Sequence, residues 1–198
     1  MLKNIGLKNM KKILLSIIIL NIFITNIHAK KSSFEIFGDI MQALPAGMAV
    51  YSLAIKDYDG VLQLALGAGS SALVTHFLKS GFSILAYSRP DLAYISRRPT
   101  SAYEGFPSGH TSFAFSAAGY AYRRYGYKAF IPVATLAALT GASRVYAGKH
   151  TIAQVVAGGA LGFILSYVFA KEFDENNMVF GIGLNDNNGY MLNFRKAF

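Results

Sequence analysis

The sequence predicts an all-α fold: a bundle of five to six mostly membrane-embedded helices, with a small C-terminal β-hairpin. Three observations point there. Hydrophobic residues make up 53% of the 198-residue chain and charged residues 15%, giving a mean hydropathy of +0.35. The apolar residues gather into stretches of about 17 to 20, the length that crosses a hydrocarbon core. No domain linker separates these stretches, so a single helical domain over residues 30–175 is expected. Cysteine is absent, which excludes disulfides and thiolate metal sites.

The elements follow in order. Lys3, Lys8, Lys11 and Lys12 precede an apolar run that ends in Ile27-His28-Ala29, so residues 1–29 read as a signal peptide or signal anchor. These residues hold four lysines and no acid, and their removal lowers the net charge from +9 to +5. Part of the positive charge is thus a targeting device, and no nucleic-acid partner is expected. The first stretch of the domain, 36–55, contains Pro45, which is expected to kink it. Residues 57–60 read as a turn. The second stretch, 61–78, is rich in Ala, Gly and Ser and permits close backbone approach.

A loop is expected over 80–106. Pro107 opens the third helix, with Ser108 and His110 in its first turn and Arg123, Arg124 and Lys128 at its C-terminal end, where cations suit the helix dipole. The fourth and fifth helices cover 129–145 and 151–170. Tyr120, Tyr122, Tyr125 and Tyr127 read as an interface belt. Residues 176–198 read as strand, turn and strand around Asn188-Gly189.

With the basic N-terminus cytoplasmic, Arg123, Arg124 and Lys128 fall on the cytoplasmic side, as the positive-inside rule requires. Lys79, Arg98, His110, Arg144 and His150 then meet at the opposite, periplasmic face. A soluble periplasmic bundle is the competing expectation, because runs such as 64–72 are only mildly apolar.

Those five residues carry chemistry. Ser108-Gly109-His110 at a helix start offers backbone N–H groups and the positive dipole end to an anion, and Gly109 lets the main chain come close. Arg98 and Arg144 can each present a planar fork to phosphate oxygens, and Lys79 adds a point charge. With the imidazoles of His110 and His150, this inventory suits an enzyme that binds a phosphate and breaks its ester bond. The cations meet the growing equatorial charge. One imidazole must be neutral to attack phosphorus and the other protonated to serve the leaving oxygen. His76 belongs to no motif and reads as a packing residue. No metal constellation is visible, and no cofactor is expected.

Arg98-Pro99, the run from Pro107 to His110, and Ser143-Arg144 with five residues to His150 resemble the type-2 phosphatidic acid phosphatase and vanadium haloperoxidase superfamily, over roughly residues 40–172. The resemblance implies His150 as a nucleophile forming a phosphohistidine and His110 as general acid. It implies Lys79, Arg98, Ser108, Gly109 and Arg144 as the phosphate ligands. Two departures stand out. The family lysine commonly lies seven positions before the arginine, which here is Asp91; Lys79 lies nineteen before Arg98, so about a dozen residues must loop out. Gln154 replaces the family's usual Asp behind His150, keeping a hydrogen-bond acceptor for Nδ1–H while losing the charge, so Gln154 is expected to keep the tautomer only. With these departures the chain is most similar to bacterial lipid A phosphatases, which implies a lipid phosphate substrate handled at the periplasmic face of the inner membrane. Undecaprenyl pyrophosphate and phosphatidylglycerophosphate phosphatases share the motifs. A catalytically inactive membrane scaffold is the expectation from another class.

Overall fold

The structure, a computed structural model, describes residues 31–173 and the backbones of 180–184 and 190–194. The leader expected over 1–29 lies outside the described residues. Of the hairpin expected over 176–198, only the backbones of Phe180–Leu184 and Tyr190–Phe194 are described, paired antiparallel from Phe180–Phe194 to Leu184–Tyr190.

Six α-helices follow one another from Ser33: α1 (Ser33–Met41), α2 (Leu44–Ala54), α3 (Tyr58–Ser88), α4 (Gly109–Tyr125), α5 (Tyr127–Tyr146) and α6 (Ile152–Phe169). A 3₁₀ turn, Tyr94–Ser96, interrupts the connection from α3 to α4. The bundle is built around α4, which packs on α6 most extensively and on α5 and α3 as well. Small residues make that packing possible. Ala114, Ala117, Ala118 and Ala121 are fully buried on α4. A Cβ at Gly158 of α6 would lie 2.5 Å from the Ser108 carbonyl, so the two backbones touch where α4 begins.

Several boundaries differ from the sequence expectation, each for a local reason. Pro45 does not kink one helix; it sits in the first turn of α2, where a missing N–H costs nothing, and the chain breaks into two helices before it. The turn expected over 57–60 is the start of α3: Asp57 caps it, accepting a hydrogen bond from Gly60 N at 2.9 Å. α3 then continues for 31 residues, so the loop expected from residue 80 begins at Arg89. Residues 80–88 contain no proline, and the helix stops at Arg89, whose helical conformation Pro90 disfavours.

Among the described residues three helices, α3, α5 and α6, are long and apolar enough to cross a membrane. This is fewer than the five to six expected. α1 and α2 have 9 and 11 residues. α4 is enclosed by its neighbours and carries hydroxyls in place of a lipid-compatible surface: Ser112 is hydrogen-bonded to Ser71 at 2.6 Å and to Thr75 at 2.9 Å. Large apolar side chains such as Leu73, Phe77, Ile84 and Val168 point outward, each about two-thirds or more exposed, a surface suited to lipid.

A buried polar cluster locks the end of the bundle where α3 begins. Arg124 Nε donates to Asp57 Oδ2 at 2.8 Å and Arg124 Nη2 donates to Oδ1. Nη1 reaches the carbonyls of Lys171 and Glu172 at 3.1 and 3.2 Å. Tyr125 donates to Asp57 at 2.6 Å, and Ser52 of α2 joins Tyr120 and Tyr125 at 2.8 Å each. Arg124 is therefore an internal ion-pair partner, and Tyr120 and Tyr125 do not belong to an interface belt; Tyr122 and Tyr127 do face outward. From Asp57 to Lys79 along α3 is about 30 Å at the helical rise, so this lock and the site below occupy opposite ends of the bundle.

Candidate active site

His150 lies in the short connection between α5 and α6 and is 5% exposed. Its Nδ1 is 3.1 Å from Gln154 Oε1. Gln154 is fully buried in the first turn of α6, where it forms a capping box with Thr151. Its Nε2 donates to the carbonyls of Ile95 and Arg97 at 2.9 and 3.0 Å. Those two acceptors fix the amide with its carbonyl toward His150, so the imidazole carries its proton on Nδ1 and its lone pair on Nε2. An Asp at this position could not donate to either carbonyl. Gln154 thus exchanges charge for an anchor on the turn that carries Arg98. Gly105 makes room for that anchor: a Cβ there would lie 2.5 Å from Gln154 Nε2.

The anchored turn brings the cations together. Arg98 Nη2 and Lys79 Nζ both donate to the Glu104 carbonyl, the former at 3.3 Å. Lys79 therefore joins Arg98 although nineteen positions precede it, because the residues between form the last turns of α3 and the 3₁₀ turn that folds back. Arg144, in the last turn of α5, has a side chain 7% exposed. Arg98 Nε and Arg144 Nε are buried with no hydrogen-bond partner among the described residues. A buried guanidinium N–H without an acceptor is costly, and a phosphate oxygen is the acceptor such groups favour.

α4 begins at the same end. Ser108, its N-cap, is fully buried: its backbone N donates to the Gln154 carbonyl at 2.9 Å, and its Oγ lies 3.0 Å from Thr111 Oγ1. A Cβ on Gly109 would meet Lys79 Cε and Thr75 Cγ2 at 3.8 Å, so the first turn of α4 faces Lys79 at ordinary contact distance. His110, 30% exposed, has Nε2 3.2 Å from Asp39 Oδ1. The same Asp39 oxygen lies 2.6 Å from Arg144 Nη1. All the residues singled out in the motifs are thus gathered at one end of the bundle. His76 is not among them and is exposed on α3, contrary to the packing expectation. Asp39 was not singled out; its only sequence signal was a lone acid within an apolar stretch.

Burial lowers the pKa of His150, and the nearby charges of Lys79, Arg98 and Arg144 lower it further against the Gln154 hydrogen bond, to about 4. Both effects disfavour the imidazolium, so His150 is neutral at pH 7. The ring NMR signals of His150 are therefore expected to hold their neutral-form shifts from pH 8 to about 5.5 and to move only toward pH 4. A midpoint near the ordinary histidine value, about 6.5, contradicts this account of the site.

Three cations, a helix N-terminus, a neutral imidazole and a second imidazole are gathered at one end of a helical bundle, a set of groups suited to binding a phosphate. The chain belongs to the PAP2 superfamily, whose family model matches residues 60–178. It is 40% identical over 139 residues to a lipid A 4'-phosphatase of Helicobacter pylori, covering 70% of either chain. It is 28% identical over 116 residues to a lipid A 1-phosphatase of the same species, covering 59% of this chain and 60% of the relative. It is also 31% identical over 158 residues to phosphatidylglycerophosphatase B of Bacillus subtilis, covering 75% of this chain and 71% of the relative. No solved structure matches.

Proposed function

We propose that this protein is a membrane lipid phosphatase that hydrolyses a lipid A-like phosphate monoester or pyrophosphate through a phosphohistidine on His150. The observation that carries this reading is the pair of unpartnered, buried guanidinium nitrogens, Arg98 Nε and Arg144 Nε, beside a neutral His150 whose Nδ1–H is held by Gln154. In the first step His150 Nε2 bonds to phosphorus while the P–O ester bond breaks, and His110 gives its proton to the leaving oxygen. In the second step water attacks phosphorus, His110 takes the water's proton, and the P–N bond breaks to release phosphate. Lys79, Arg98, Arg144 and the first turn of α4, with Ser108 and Gly109, hold the equatorial oxygens. These fixed cations supply the charge stabilisation, so the reaction is assigned no metal.

The lipid class rests on the two lipid A phosphatases among the relatives and on the apolar outer surface of α3, α5 and α6. The periplasmic orientation rests on Arg123 and Lys128 at the end opposite the site, which the positive-inside rule assigns to the cytoplasm. The test is phosphate release by the purified protein in detergent micelles from lipid A, undecaprenyl pyrophosphate and phosphatidylglycerophosphate. Lipid A is expected to give the highest kcat/KM; preference for either of the others overturns the substrate, and release from none overturns the reaction.

A further inference from the structure

Asp39 lies on α1, upstream of residues 60–178, the segment that the family model covers. α1 is seated against the residues leading to His150: Phe34 packs edge-on against Tyr146 with centroids 5.6 Å apart, and Glu35 lies 3.8 Å from Lys149. Gly38 faces Ser143, the residue before Arg144, so closely that no side chain would fit between them. Asp39 follows Gly38, with its side chain 14% exposed, and a single oxygen serves both Arg144 Nη1 and His110 Nε2.

We propose that Asp39 is a positioning residue of the phosphatase reaction, holding His110 in its charged, proton-donating form and fixing one end of the Arg144 guanidinium. The proposal rests on the reaction assigned above and deepens it. Lys79, Arg98 and Arg144 surround this end of the bundle, and their field works against a positive charge on either imidazole. A reaction that needs one neutral and one charged histidine requires environments that differ. His150 has the neutral acceptor Gln154 behind it, whereas His110 has the carboxylate of Asp39. The negative charge that Gln154 does not supply is thus supplied to the other histidine, from α1. With Nη1 on Asp39, Arg144 keeps its unpartnered Nε for phosphate. Asp39 stays ionised throughout, while the proton moves between His110 and the leaving oxygen or water.

The test compares two leaving groups in Asp39→Asn. Lipid A loses its phosphate from a sugar oxygen that needs the proton, whereas p-nitrophenolate leaves p-nitrophenyl phosphate without one. Because kcat/KM covers the steps through departure of the leaving group, loss of the acid appears there. A general acid is worth ~10²–10⁴-fold, so Asp39→Asn is expected to lower kcat/KM on lipid A by about 10- to 100-fold. The drop on p-nitrophenyl phosphate is expected to be at least about tenfold smaller, and Asp39→Glu is expected to recover part of the lipid A activity. Equal losses on both substrates, or no loss on lipid A, overturn the proposal, since a purely structural or Arg144-mediated effect does not distinguish leaving groups. His150→Ala run alongside separates the two readings: activity surviving that change refutes the phosphohistidine reaction itself, whatever Asp39→Asn does.

Discussion

His150→Ala is expected to lower kcat for phosphate release by about 10⁴-fold or more, the scale of removing a nucleophile whose neighbours act with it as a unit. The reason lies in the arrangement behind the ring. Gln154 holds Nδ1–H, burial and three cations keep the imidazole neutral, and no other described side chain combines those conditions. His110 cannot substitute, because its Nε2 is engaged with Asp39. The protein should otherwise be intact, since His150 occupies a connection and not a helix core; melting temperature and micelle size are expected to match those of the unaltered chain. A variant that melts normally and still turns over at more than about one-hundredth of the original rate removes His150 from the nucleophile's role.

Arg124→Ala is expected to destabilise the bundle by about 3–5 kcal/mol, the usual consequence of leaving a buried charge without its partner. Asp57 is almost fully buried, and Arg124 supplies the bidentate contact to it while also binding the carbonyls of Lys171 and Glu172. Loss of Arg124 therefore frees the capped start of α3, the end of α4 and the segment after α6 together. Thermal unfolding in detergent should show a melting temperature lower by on the order of 10 °C. Combining Arg124→Met with Asp57→Asn should recover part of the loss, because the stranded carboxylate is then gone. A shift of only a degree or two in Arg124→Ala means that the pair is not the lock described. This end lies about 30 Å along α3 from Lys79 of the site, so folded protein at low temperature should keep its catalytic rate.

The sequence disclosed the site more fully than it disclosed the helices. Ser108, Gly109, His110, Arg144 and His150 stand in two short runs whose spacing survives any error in helix boundaries, and the folded chain brings them to one end. Lys79 was legible as the end of an apolar stretch but at an unusual distance from Arg98. What hid its route was the continuation of α3 through residues 80–88, where serines and glycine resemble a loop while the chain remains helical. Gln154 was legible as a departure, yet its two donations go to the backbone carbonyls of Ile95 and Arg97, which have no sequence signature. Arg124 looked like a surface cation because Asp57 lies 67 residues away, and only the fold makes them neighbours. The mild apolarity of α4 signals burial among other helices, which hydropathy does not distinguish from exposure to water. Asp39 escaped notice because one carboxylate in an apolar run has no periodicity or motif to mark it.

In the proposed reaction phosphorus passes through His150. Its most direct test is rapid alkaline quenching of the protein during turnover of ³²P-labelled lipid A, followed by peptide mapping, because phosphohistidine survives base and is lost in acid. An alkali-stable, acid-labile label is expected on the peptide containing His150, absent from His150→Ala and accumulating in Asp39→Asn no faster than in the unaltered protein. Label on His110 or on any other residue, or turnover with no phosphorylated peptide during the approach to steady state and with His150→Ala fully active, would contradict it.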